Sequence, residues 1–408
     1  MTTRTPGTGR GPTCERAATP SKAARTRFSA RSSLSASSAC PGPADHDRKD
    51  CTMSARFTDE QLVLAETVRD LASSGLAHAR DALEGRDPAP GPTAALFEGF
   101  GGLAVPDDRG GFGGGLVDLA IVVCELARTI SPTPFVSHVL ATQVALAADL
   151  DVADAVTGTQ RWALAVDEPA ASPWGPWGLR LGVDEIAGRK VGVVGGSECD
   201  AAVVVGEGGV VGVAVPSARH PRSCMDRTRP VADLEFSGTP AVVGTAAAEL
   251  GLARAGAIVA AELAGTGRGV IDLAAAYVHQ REQFGQPVGK FQSVAHPLAE
   301  AHTAAQHAWS LALYAAWAVD AGAADARRAV SSALAKSGSA AIMASEVSTQ
   351  SLGGLGIAWE ADAHLFLRRA MASATWLGAP SLHRQALARA VLAEHAERRS
   401  RDLGPPPT

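Results

Sequence analysis

Between about residues 160 and 245 the chain breaks into short Val-rich runs, while the stretches on either side are long, rich in Ala and Leu, and helical in character. That double change of texture constrains the fold more than any other feature. Lys190 to Val194, Ala201 to Val205 and Val210 to Val215 are separated by Gly and polar clusters. Short apolar strands with close turns predict a compact antiparallel β unit rather than a parallel sheet with crossover helices. Beyond about 246 the helical segments are broken at Gly285 to Gly289 and Gly353 to Gly356, a pattern that suits a four-helix bundle. The expected chain is α+β and mostly α. It has an N-terminal helical domain over 53–155, a middle β domain over 156–245, a C-terminal bundle over 246–400 and a tail over 401–408.

Local signals support the helical ends. Thr58-Asp59-Glu60-Gln61 has the form of a capping box ahead of a helical pattern in which Leu62, Leu64, Val68 and Leu71 share much of one face. The dense glycines from Gly110 to Gly115 break any helix there. They lack the spacing of a phosphate-binding loop, so a connection between packed helices is expected. The first 52 residues carry nine Lys or Arg against four Asp or Glu and almost no large apolar side chains. Such a stretch cannot offset its ordering entropy, so a disordered extension is expected, or a true start at Met53.

Composition excludes several classes of function. With 46 % hydrophobic residues the chain can bury a sizeable core, and a net charge of -5 gives no broad attraction to nucleic acid. No apolar run reaches the roughly 18 residues that suggest a membrane span. Six cysteines, at 14, 40, 51, 124, 199 and 224, fall in no CxxC spacing, which argues for a soluble protein of a reducing cytoplasm. His296, His302 and His307 are six and five residues apart rather than three or four, so no metal site is expected.

Two motifs carry chemistry. Arg281-Glu282-Gln283-Phe284-Gly285-Gln286-Pro287-Val288-Gly289-Lys290-Phe291-Gln292 follows a long helix and precedes another. It resembles the R-x-Q-F-G-x-P-(I/V)-x-x-F-Q segment of the acyl-CoA dehydrogenase family. Gln350-Ser351-Leu352-Gly353-Gly354-Leu355-Gly356 resembles that family's Q-x-x-G-G-x-G signature. Glu360 and Arg368 fall where the family also places an acid and a base. Leu103-Ala104-Val105-Pro106, with Asp107 and the glycines, is similar to its V-P-E-x-x-G-G-x-G loop, and Asp167-Glu168-Pro169 to its T-E-P. The resemblance covers roughly 57 to 400 and implies the same helical, β, helical order.

The resemblance also implies FAD as cofactor, an acyl-CoA thioester as substrate, an electron-transfer acceptor, and a homo- or hetero-oligomer. Arg281 would bind the pyrophosphate of a flavin held mainly by another subunit, a task that suits a planar guanidinium fork. Gln283, Phe284, Phe291 and Gln292 would line the adenosine end, and Gln350, Gly353 and Gly354 would let backbone approach from across the dimer. The implied dehydrogenation needs a base for the α-proton while a β-hydride passes to the flavin. The base slot 27 residues past Gln350 holds Leu377, in Trp376-Leu377-Gly378-Ala379, and the alternative slot near Ala255 also lacks a carboxylate. Glu249 and Glu262 lie about two helical turns from it, and Glu262 is expected on a helix face. In the β unit the usual Gly-Ser loop is replaced by Ala170-Ala171-Ser172, and the W-I-T segment by Gly192-Val193-Val194. The expected function is an acyl-CoA dehydrogenase-type flavoprotein, in its most natural version the base-lacking partner of a hetero-oligomer. A flavin-dependent oxygenase on the same fold, or a binding homologue that has lost its flavin, stand as alternatives.

Overall fold

The computed structural model describes residues 56–86, 93–169, 172–182, 185–239, 241–244 and 248–403. The expected 1–52 extension, the start at Met53, the Ala170-Ala171 replacement and the end of the tail from 404 lie outside them. The described part begins with helices α1 (Asp59–Leu71), α2 (Gly75–Glu84), α3 (Thr93–Phe100), α4 (Leu116–Ala127), α5 (Phe135–Ala147) and the short α6 (Ala153–Val156). The capping box forms as read: the Thr58 hydroxyl accepts from the Gln61 amide, and Gln61 Oε1 accepts from the Thr58 amide. Of the apolar face of α1, Leu64 and Val68 are buried while Leu62 is exposed. The glycine-rich segment is a folded connection between α3 and α4. Its amides at Phe112 and Gly113 donate to the carbonyls of Gly102 and Val105.

The middle unit has strands β1 (Trp162–Ala165), β2 (Arg180–Leu181), β3 (Ile186–Val194), β4 (Ala201–Val205), β5 (Val211–Ala214), β6 (Ala218–Arg222), β7 (Val231–Thr239) and β8 (Ala241–Val243). Among the described residues they form two four-stranded sheets, ordered β1-β4-β5-β8 and β2-β3-β7-β6. Alternation decides the two faces. Ala163, Ala165, Ala202 and Val204 point into the core shared with Ile186, Val193, Ala232, Leu234 and Phe236 of the other sheet. Trp162, Leu164, Ala201, Val203 and Val205 point the other way, into the core shared with the helices. The expectation of a wholly antiparallel unit needs correcting, because β1 and β4 run parallel. The chain between them crosses through β2 and β3 rather than through a helix, so no helical signal marked the crossover.

The remaining helices are α7 (Ala248–Gln280), α8 (Gln292–Asp320), α9 (Ala326–Ser351), the short α10 (Ala363–Ser373) and α11 (Pro380–Leu403). The four long ones make the expected bundle, and α11 runs three residues into the expected tail. A small hairpin, β9 (Glu282–Gln283) with β10 (Gln286–Pro287), joins α7 to α8. One continuous apolar core reaches from α1, α4 and α5 through β1 and β4 to α7, α8 and α9. Cuts at 155 and 245 would fall on α6 and in the link between β8 and α7.

Candidate functional site

The two sequence motifs meet at one end of the bundle. A separate apolar cluster floors that end, drawing Val278 from α7, Val288 and Leu298 around the hairpin exit, Val347 from α9 and Leu352 just past its end, and Leu365 and Phe366 from α10. Above this floor the hairpin is closed by the Val288 amide donating to the Arg281 carbonyl, 2.8 Å. Arg281, Gln283 and Phe284 project outward, and Phe284 is 92 % exposed. Among the described residues the Arg281 guanidinium has no ion-pair or hydrogen-bond partner. Phe284 also adopts a left-handed φ of 54°, costly for a bulky residue, and its ring meets that of Phe291 edge-on at 6.1 Å. Gln292 and Gln350 are exposed, as are Gly353 and Gly354, with nothing within 4 Å of where their Cβ atoms would stand. Gly353 has φ +62°, which only glycine adopts freely. Ile357, 81 % exposed, and Trp359 extend the same rim, and Arg368 lies over the Trp359 ring at 5.7 Å. Glu360 is exposed on that rim.

The base slots lie elsewhere, where the β unit meets the bundle. Trp376 and Leu377 are buried there and, with Leu164, Val166, Asp167, Val191, Gly192 and Val193, enclose a cavity of only about 10 Å³. Trp174, from the loop after Glu168, packs on the far side of Leu377. Its indole Nε1–H donates to the Leu377 carbonyl at 2.8 Å, which also accepts from His383 Nε2 at 3.0 Å. The same indole reaches the other slot: a Cβ on Gly256, next to the fully buried Ala255, would lie 3.9 Å from its ring. Gly192 stands at a bulge in the pairing of β3 with β7, at φ +64°, and its amide is held by Asp233 Oδ1 at 2.9 Å. The segment that carries an aromatic ring in the family therefore offers backbone here.

Behind Trp376 lies a charged cluster that sequence reasoning missed. The β6–β7 connection brings Asp226, Thr228 and Arg229 into the bundle, where Arg229 pairs with Glu262 of α7 and Arg369 of α10 pairs with Asp226. Arg369 donates to Thr228 Oγ1 at 2.7 Å and lies 3.6 Å from Glu262, and the Arg229 guanidinium sits 5.4 Å over the Trp376 ring. Glu262 is thus no solvated helix-face residue. It is fully buried, with Oε1 engaged and Oε2 without a partner. Burial raises the Asp226 carboxyl, but the charges of Arg369 and Arg229 outweigh it and hold the group below the usual carboxylate range. Burial and the like charge of Arg369 both push Arg229 down. Glu249, by contrast, is exposed in the first turn of α7.

The half-buried Glu168 and the fully buried Lys190 make a second pair at 2.6 Å, with Lys190 Nζ also donating to the Val166 carbonyl at 3.0 Å. Burial drives the Lys190 ammonium below its ordinary value, partly offset by Glu168. Glu168 further accepts the amides of Gly178 and Leu179, so the pair is spent on fixing the loop that carries Trp174. His296, His302 and His307 are all exposed, and among the described residues no group of three or more His, Cys, Asp or Glu side chains converges. No helix among them is long and apolar enough to cross a membrane.

Comparison with known proteins decides the family. Residues 58–151 match the N-terminal domain of acyl-CoA dehydrogenases and residues 243–392 their C-terminal domain. The chain is 32 % identical over 338 residues to the acyl-CoA dehydrogenase IpdE2 of Mycobacterium tuberculosis, covering 79 % of this chain and 94 % of that protein. The chain belongs to the acyl-CoA dehydrogenase family. It is also 32 % identical over 367 residues to the acyl-CoA dehydrogenase FadE34 of the same organism, covering 80 % of this chain but spanning only 47 % of that protein. Among solved structures, the ChsE4–ChsE5 complex of Mycobacterium tuberculosis shares the fold with a TM-score of 0.74, 22 % identity, 83 % of this chain and 99 % of the other.

The family implies FAD, and this chain's residues can be tested against it. A flavin ring needs a pocket of roughly several hundred Å³. The junction of the β unit and the bundle offers about 10 Å³, at the lower limit for one water. Its lining is apolar side chain and backbone apart from Asp167, whose carboxyl burial raises despite Lys190 nearby. The ring does not fit the junction that this chain builds. The bundle end differs: there a guanidinium unpaired among the described residues, an exposed aromatic ring and bare glycine backbone form an open surface.

Proposed function

We propose that this chain is the base-lacking subunit of an acyl-CoA dehydrogenase-type oxidoreductase assembly of the cytoplasm. In this reading the FAD ring, the acyl-CoA thioester and the α-proton base sit in a homologous partner chain, which passes electrons to an external acceptor. This chain lends Arg281, Gln283, Phe284, Phe291 and Gln292 of the hairpin, with Gln350, Gly353 and Gly354, to the dinucleotide's phosphate and adenosine end. The observation that carries the reading is the contrast between the two ends of the site. The hairpin holds a strained, exposed Phe284 beside an Arg281 unpaired among the described residues, a costly arrangement that nothing among those residues uses. The chain's own reaction slots hold the buried Leu377 and Ala255, and the cavity beside Leu377 is only about 10 Å³. A solved complex of two differently named chains of this fold, ChsE4 and ChsE5, is in keeping with such pairing.

The test is co-expression with a homologue carrying glutamate in either base slot. The purified pair is expected to be yellow, to be bleached anaerobically by acyl-CoA, and to lose most of its FAD when Arg281→Ala is introduced in this chain. Unchanged FAD occupancy in that variant would remove the pyrophosphate contact. The closed junction also favours a second reading, a binding homologue without flavin, and a colourless pair would select it.

A further inference from the structure

We infer that Trp174 is a built-in stopper: seated between Gly256 and the Leu377 carbonyl, it keeps an acyl group out of this chain's own site, which together with the closed junction beside Leu377 leaves a pair containing this chain with one flavin per two chains. The count per pair rests on the partner reading above, whereas the stopper itself rests only on contacts within this chain. The residue stands between the two positions from which the family's base acts, one flanked by Gly256 and the other at Leu377, with its indole bonded at 2.8 Å to the second. On the other side of Leu377, the cavity that Trp376 and Leu377 help to enclose measures only about 10 Å³.

Its loop makes a local turn around Trp174 and is held at its far end. The Trp174 amide donates to Ser172 Oγ at 3.2 Å and the Gly175 amide to the Ser172 carbonyl at 3.0 Å. At the far end Glu168 holds the amides of Gly178 and Leu179, and is itself held by the buried Lys190. Gly378, at φ +100°, packs against Pro173 of the same loop, so the slot and the stopper are shaped together. A lid that opened for substrate would have to break these bonds and leave the Leu377 carbonyl with His383 as its remaining partner.

The test begins with the chain alone, equilibrated with FAD, then with octanoyl-CoA, and gel-filtered. Bound flavin is read from visible absorbance and from tryptophan emission, which a flavin ring beside Trp174 and Trp376 would quench. No retained flavin and unchanged emission are expected, and one flavin per two chains in the co-expressed pair. Trp174→Ala should leave an indole-sized void, so that added indole raises its thermal midpoint and leaves the wild type's unchanged. One flavin per chain with quenched emission, or two flavins per pair, would overturn the inference. So would a Trp174→Ala protein that melts like the wild type with and without indole. If that variant does not fold, the wild-type flavin count decides. A pair holding one flavin that Arg281→Ala leaves in place would sink the proposed function while the stopper stands.

Discussion

Glu262 shows how a residue's chemistry is set by partners far away in the chain. Its guanidinium partners, Arg229 and Arg369, come from the β6–β7 connection and from α10, and Asp226 completes two positive and two negative groups, all buried. Removing one member of such a cluster leaves an uncompensated buried charge, which costs about 3–5 kcal/mol. Glu262→Gln is therefore expected to lower unfolding stability by about 3 kcal/mol, while Glu249→Gln on the exposed first turn of α7 changes it by less than about 0.5 kcal/mol. Denaturant midpoints of the two variants check this, and equal midpoints would show that the cluster carries no net stability. The sequence singled out Arg281 and Gln350 because each sits inside a contiguous motif, and Leu377 by its spacing of 27 residues from Gln350. It hid the cluster because Arg229 and Glu262 are separated by 33 positions and Arg369 and Asp226 by 143, with no local spacing to mark either pair. Trp174 was hidden for another reason: in Pro173-Trp174-Gly175-Pro176 the turn-forming neighbours outweigh the one residue that packs.

At the scale of elements, the strands that were legible are those that read as Val-rich runs, β4, β5 and the second half of β3. β6, which is Ala-Arg-His-Pro-Arg at a sheet edge, has no such run and was not. Nor did the sequence show what joins α5 to β1. His138, fully buried on α5, approaches the Ala155 carbonyl with Nε2 at 3.0 Å and the Trp162 amide with Nδ1 at 3.0 Å. A carbonyl only accepts and an amide only donates, so the ring is neutral with its proton on Nε2. Burial, partly offset by the Ala155 carbonyl and Asp200, lowers its pKa from 6.5 to about 4. Protonating Nδ1 would break the bond from Trp162. Between those values the unfolded chain binds the proton and the folded chain does not, so stability rises with pH across that window. The link is intact above about pH 6.5 and weakens as pH falls, by about 3 kcal/mol in total at about pH 4. Denaturant midpoints at about pH 7.5 and 5.5 should differ by about 1 kcal/mol more in the wild type than in His138→Gln. Parallel profiles for the two proteins would mean that His138 titrates alike in both states.

The whole molecule depends on how closely α7 lets the N-terminal helices approach. The helices–β–helices order was legible from periodicity and texture, but the docking was not, because glycines within a helix read only as weak points of that helix. In the fold they are contacts. A Cβ on Gly265 would stand 2.3 Å from the Cys124 carbonyl oxygen, and one on Gly269, a turn later, 2.2 Å from that of Arg128, both at the end of α4. Two effects oppose each other in Gly265→Ala. Helix propensity favours alanine by about 1 kcal/mol. Overpacking costs about 1–3 kcal/mol where neighbours can adjust, and here the second near atom is the Cys124 Cα at 2.9 Å, so the neighbour is backbone that no rotamer change relieves. Sterics should win, forcing α4 and α7 apart along a core that otherwise runs unbroken from α1 to α9. Gly265→Ala is therefore expected to lower stability by about 2 kcal/mol and to open the N-terminal helices to limited proteolysis before the bundle. Ala substitution at Gly354, which has open space around it, should do neither. A Gly265→Ala protein that melts at or above the wild type, with its N-terminal helices no more readily cut, would show that the two helical parts are not held by this close approach.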